Sequence, residues 1–292
     1  MTLANHLVLK GEFALAGSEP DGDSVHFVAD DPSLLTQLRN GHRVRLTKAG
    51  AVQLRFEGVD AAELHYGSDA QPLGAYARDA LLKHMGFTDV QFKSGKTSVQ
   101  SATPPNLPGA ILSKAVEING RPVSFVFVGE EAQALTDADN VLLTPELLHQ
   151  SLNWWLLETG VAYYTVFTST PLRDELRAAA QTARGKGGPK NVWTLDSSSS
   201  FKLIDQTSIG PDGVLILPKL FRRATDYLKA VAKGFSGDLS EWIASTVTQT
   251  RNEDDRVVLA DQTEVSLSDL IVQRNATVVF QPDLLDITFV EK

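Results

Sequence analysis

The chain has 292 residues, enough for one large domain or two modest ones around a sizeable core. Its formal net charge of -9 argues against coating nucleic acid by bulk attraction, but leaves room for positive charge confined to one cleft. The absence of cysteine removes disulfides, thiolate nucleophiles and sulfur-ligated zinc together.

The opening MTLANHLVLKGEF has no basic segment followed by a long apolar one, and no apolar run reaches the roughly 18 residues of a membrane span. A cytoplasmic protein without a membrane segment is the default expectation. SVHFVA (24–29), HRVRLTK (42–48) and AVQLRFEGV (51–59) alternate or are rich in β-branched residues, which predicts half-buried strands. Between the first two, DDPSLLTQLRNG reads as a short helix with an Asp cap, an early proline and a closing Asn-Gly.

Leu73, Ala77, Ala80, Leu81 and Met85 recur at helical spacing, with Gly86 placed to end the helix. SVQSATPPNLPG (98–109) reads as a Pro/Ser-rich loop. KAVEI and RPVSFVFVG are then joined across Asn119-Gly120, a strong hairpin signal. Thr144-Pro145 and Thr170-Pro171 each place a capping hydroxyl before a first-turn proline, predicting helices that end near Gly160 and Gly185.

Composition changes at ARGKGGPK and the four serines Ser197–Ser200, which predicts an exposed connection and two domains, residues 1–197 and 198–292. In the second, an apolar stripe follows Pro218, Asp238 and Glu241 have capping-box spacing, and four short strands follow. The six histidines lack metal-ligand spacing, and Gly185-Lys186-Gly187-Gly188 lacks the ending of a phosphate loop.

Short strands interleaved with a helix, then more helices, suggest a small Greek-key barrel packed against helices. The charged motifs fall in a telling order along it. Asp21-Gly22-Asp23-Ser24-Val25 comes first, then Arg55-Phe56-Glu57-Gly58-Val59-Asp60-Ala61-Ala62-Glu63, then Gly120-Arg121, then Asn191-Val192-Trp193. In this order the motifs resemble the staphylococcal-nuclease-like (thermonuclease) family over residues 8–195. The central signature, with Arg, Asp and Glu at offsets of zero, five and eight, is its most specific part. Ala61 and Ala62 depart from the family's Thr and Pro, and Thr165 and Phe167 stand where tyrosines line the nucleotide pocket of its best-known member.

The resemblance implies an OB-fold five-stranded barrel with three helices, followed here by a smaller α+β C-terminal domain: an α+β, mainly β chain. It implies a calcium-dependent phosphodiesterase acting on DNA or RNA and leaving 3′-phosphate ends. Arg55 and Arg121 would stabilise the transition state and Glu63 would act as general base. Asp23, Asp60 and the Ala61 carbonyl would hold calcium.

These residue types are suited to that chemistry. Guanidiniums answer phosphate charge with planar donors that stay protonated, carboxylates suit a hard cation, and a held carboxylate can take a proton from water. Glu57, two residues along the strand from Arg55, is expected on the same face but outside the chemistry. Taken singly, each motif has a plainer reading. Arg121 would be a solvated hairpin arginine, Asp21–Asp23 a turn, and Arg55 and Glu63 surface residues or a weak ion pair. The alternative function is a non-catalytic OB-fold module that binds nucleic acid or protein.

Overall fold

The computed structural model describes residues 5–248 and 252–291. In chain order its elements are β1 (Asn5–Ala14), β2 (His26–Ala29), α1 (Ser33–Gln37), β3 (Val52–Gln53), β4 (Arg55–Phe56), β5 (Val59–Ala61), α2 (Gly74–Met85), β6 (Thr88–Phe92) and β7 (Val99–Thr103). These are followed by β8 (Asn106–Val116), β9 (Pro122–Val128), α3 (Gly129–Gln133), β10 (Asn140–Leu142), α4 (Pro145–Leu148), α5 (Leu152–Glu158), β11 (Ala162–Tyr164), α6 (Arg173–Lys186) and α7 (Val192–Leu195). The C-terminal part adds β12 (Ser200–Lys202), α8 (Pro218–Val231), α9 (Leu239–Ser245), β13 (Arg256–Val258), β14 (Glu264–Ser266), β15 (Ile271–Arg274), β16 (Thr277–Phe280) and β17 (Thr288–Phe289).

The two longest strands, β1 and β8, pair antiparallel from Leu7 opposite Ser113 to Ala14 opposite Asn106. The sheet continues in the order β3-β2-β1-β8-β9-β4, with β10 also on β1, and curls into a nearly closed, barrel-like form. The α+β class is therefore observed, with six strands along the sheet path and nine α-helices among the described residues. Phe13, Phe27, Phe56, Phe125 and Phe127 fill the interior. No described helix is long and apolar enough to cross a membrane.

Several local expectations are corrected. Residues 42–48 form no continuous strand: Asn40 takes a left-handed conformation, Gly41–Arg43 make a single 3-10 turn, and most of the segment is exposed, so no face is buried to reward pairing. Residues 98–109 are mostly strand rather than loop, β7 and the start of β8 with a bend at 104–105 between them. Pro108 is tolerated in β8 because β9 reaches only as far as Gly109, so on that side no ladder bond is asked of the missing N–H. The helix begun at Thr144 is two helices, each capped by a hydroxyl: Thr144 accepts from Leu147 N, and Ser151 accepts from Trp154 N. Thr170 caps nothing, and α6 starts later, at Arg173.

The C-terminal part has its own core, including Phe201, Phe221, Trp242, Phe280 and Phe289, but Ala62, Tyr163 and Val192 from the first part are buried within it. Backbone bonds cross as well, Phe289 N to Val166 O at 2.9 Å and Thr168 N to Phe289 O at 2.8 Å. Of the four serines expected to form an exposed connection, Ser199 and Ser200 are exposed and Ser197 is half-buried, but Ser198 is not. Ser198 is buried, accepts from Leu217 N at 2.7 Å and donates to Asp196, while Ser200 begins β12.

Candidate active site

The acidic turn is fixed by its own backbone and by a missing side chain. Asp21 N donates to Ser24 O, Gly22 N to the Asp21 carboxylate, and Phe56 N to Asp23 O, which ties the turn to β4. A Cβ on Gly22 would lie 2.6 Å from the Cβ atoms of both Ala61 and Ala77, so glycine allows the turn to seat between β5 and α2. Asp23 Oδ2 accepts from Ala61 N at 3.1 Å.

Arg55 lies on β4, and Asp60 and Ala61 on β5, which pairs with β11. Glu63 follows, its N–H donated to Gln71 Oε1 at 3.1 Å, and the first residue of α2, Gly74, packs so tightly on its carbonyl that a Cβ would approach to 2.5 Å. Arg121 stands at the end of the β8–β9 hairpin, where its Nε donates to Glu117 Oε1 at 3.0 Å. All six residues singled out from sequence, Asp23, Arg55, Asp60, Ala61, Glu63 and Arg121, line one cleft of about 1360 Å³. Asp21 lines it too.

Three further residues from the sequence reading, Phe167, Thr165 and Glu57, take different places. Phe167 lines the cleft as a platform for cations, with the Arg55 guanidinium 4.8 Å and the Lys219 ammonium 5.4 Å from its ring centre, whereas Thr165 is buried away from the cleft lining. Glu57 does not share an open face with Arg55. The chain turns after Phe56, and the Glu57 carboxylate is buried and accepts from the Thr170 hydroxyl, whose oxygen in turn accepts from Phe167 N at 3.0 Å rather than capping a helix. Burial pushes the Glu57 pKa up, against the pull of Thr170, Lys114 and Arg55.

The opposite wall was missed in the sequence. Helix α8 directs Lys219, Arg222 and Arg223 into the cleft at spacings of three and four, one helical face. Arg222 spans Asp60 with two bonds, Nη1 to Oδ1 at 3.2 Å and Nη2 to Oδ2 at 3.0 Å, and its Nη1 also donates to Glu63 Oε1. Arg223 Nη2 and Lys219 Nζ both reach Asp255 Oδ2, at 2.8 and 3.3 Å. The helix is clipped to the first part by Gln71 Nε2 to Ile216 O at 2.7 Å and by Tyr66 Oη to Asp226 Oδ2 at 2.7 Å. The basic spacing in PKLFRRATDYLK was the available signal, but the apolar stripe beside it drew the reading instead.

Burial and crowding set the charges. Burial, and then Asp23, raise Asp21 to about 7; burial, and then Asp60 and Glu63, raise Asp23 to about 7. Burial raises Glu63 as well, with Arg222 opposing. Burial disfavours the charge on Arg222, but Asp60 and Glu63 more than offset it and hold the guanidinium firmly protonated. Burial lowers Lys219 to about 8, against the attraction of Asp255.

Of the three ligands expected for calcium, Asp23, Asp60 and the Ala61 carbonyl, Asp60 is the one already engaged by a cation. Both Asp60 oxygens are engaged by Arg222, the Ala61 N–H bonds an Asp23 oxygen, and among the described residues no group of three or more acidic or histidine side chains is gathered to hold a metal ion. The cleft sets several guanidiniums beside the crowded carboxylates of Asp21, Asp23, Asp60 and Glu63. No protein-family model and no curated protein matches the chain.

Proposed function

We propose that this chain binds nucleic acid through its phosphodiester backbone and hydrolyses it, the barrel-like sheet serving as an OB-fold and the cleft as the active site. The observation that carries the reading is the convergence of Arg55 and Glu63, from the run that spans β4 and β5, with Arg121, from the distant β8–β9 hairpin, on one cleft. Phosphodiester cleavage needs positive charge that persists and a carboxylate able to accept a proton. Arg121 keeps both terminal nitrogens beyond its Nε bond to Glu117, and Arg55 is held over Phe167 without a carboxylate bond among the described residues. Planar donors of this kind bind phosphate oxygens in pairs and gain as charge accumulates on them.

Glu63 takes the proton of a water as that water's oxygen bonds phosphorus and the ester oxygen leaves. Burial raises its pKa, which strengthens it as a base, and Arg222 engages Oε1, leaving Oε2 as the acceptor. The expected products carry 3′-phosphate ends, as the family resemblance implies.

One observation favours a second reading. Arg222 satisfies Glu63 and Asp60 within the protein, as suits a module that binds without cutting. Incubating the full chain with end-labelled DNA and RNA oligonucleotides, with and without calcium, and resolving the product ends separates the two. Cleavage to 3′-phosphate ends supports the enzyme. Retention of intact oligonucleotide on the protein supports the binding module.

A further inference from the structure

Asp60 and Glu63 lie side by side and largely buried, an arrangement that is costly without a counter-ion. In this chain the counter-ion is covalent. Arg222 meets Asp60 fork to fork and carries one nitrogen onto Glu63, so a single guanidinium joins both carboxylates. We infer that Arg222 is the resident cation of the Asp60–Glu63 pair, standing where a divalent metal would otherwise neutralise them, so that the folded chain takes up no calcium there.

The helix that carries Arg222 makes the arrangement firm. Leu220, Phe221 and Ala224 of α8 are buried in the second core, so Arg222 leaves the carboxylates only if its side chain turns back into a crowded helix face or the helix shifts. The clips at Gln71–Ile216 and Tyr66–Asp226 flank it on both sides. A calcium ion placed on Asp60 would meet the guanidinium's positive charge at contact distance in a partly dry cleft, where that repulsion is poorly screened. Neighbouring cations cannot take over the role, because Lys219 and Arg223 are both drawn to Asp255. The cleft reading gives the inference its meaning for cleavage, but its test uses no substrate, so either can fail without the other.

The test is calcium titration of the full chain by calorimetry and thermal melting, in the parent, Arg222→Met, Arg222→Lys and Arg223→Met. The parent and Arg223→Met are expected to give no binding heat and an unchanged melting temperature in millimolar calcium. Arg222→Met removes the cation and leaves the carboxylates, so it should melt lower without calcium and gain several degrees with it. Where Arg222→Met does not fold, Arg222→Lys decides: a point charge cannot span both carboxylates, so a calcium-dependent rise is expected there too. Calcium binding by the parent as tight as by the Arg222 variants overturns the inference. So does the lack of any calcium response in a folded Arg222 variant, which would make the contact an ordinary ion pair.

Discussion

The two walls of the cleft carry similar numbers of cations and use them in opposite ways. On the barrel wall, Arg55 rests on an aromatic ring and Arg121 spends one nitrogen on Glu117, so most of their donors are uncommitted. On the α8 wall, Arg222 is spent on Asp60 and Glu63, and Lys219 and Arg223 reach Asp255. A cation already paired inside the protein has little to gain from a ligand, whereas one with open donors gains the full charge-assisted bond. A count of basic residues lining a cleft therefore does not locate where an anionic ligand would bind; the residual hydrogen-bonding capacity does.

The sharpest way to break this picture is at the base. Glu63→Gln keeps size and one polar contact but cannot take a proton, and loss of general-base assistance typically costs about a hundredfold to ten-thousandfold in rate. Single-turnover cleavage of a labelled oligonucleotide, with melts to confirm folding, checks it. An unchanged rate would remove Glu63 from the chemistry. Next come Arg55→Lys and Arg121→Lys, which retain charge but lose the planar fork. Each should weaken oligonucleotide binding by about 1.5–3 kcal/mol, the worth of a charge-assisted bond, as read by fluorescence anisotropy.

A smaller effect tests how the acidic turn is seated. Gly22→Ala forces a methyl against Ala61 and Ala77 and should cost about 1–3 kcal/mol in denaturant unfolding. The gentlest effect is on pH. Asp21 and Asp23 titrate at about 7 in the fold against 3.8 when unfolded, so between those values the native state holds more protons than the unfolded chain. The contribution to stability is therefore fully present below about 4 and is lost as pH rises through about 7. The melting temperature should fall from pH 5 to pH 8, and Asp23→Asn should flatten that slope.

The barrel wall was legible in the sequence because its pieces are local. The Arg55–Glu63 run spans a strand, a turn and a strand; Asp21-Gly22-Asp23 is a tight turn; and Asn119-Gly120 fixes where Arg121 emerges. Helix α8 and the capping box at Asp238 were equally readable, since apolar period and cap chemistry act within one helix. The contact of Arg222 with Asp60 was not, because the two are 162 residues apart and no local rule brings α8 onto β5. The serine run misled for a related reason: Ser198 looks like a solvated linker until Leu217 N is seen to need its hydroxyl. Glu57 was misplaced because the strand carrying Arg55 stops one residue too soon for alternation to apply.

The division between the two walls is tested most directly by the salt dependence of oligonucleotide binding. Each cation that meets a phosphate releases condensed counterions, so removing it lowers the slope of log affinity against log salt by about one. The measurement compares the Glu63→Gln background, which holds the oligonucleotide uncut, with the same chain carrying Arg55→Met, Arg121→Met or Arg223→Met. Arg55→Met and Arg121→Met should each lower the slope by about one, and Arg223→Met should leave it unchanged. Equal losses on both walls, or a loss at Arg223 alone, would contradict the account.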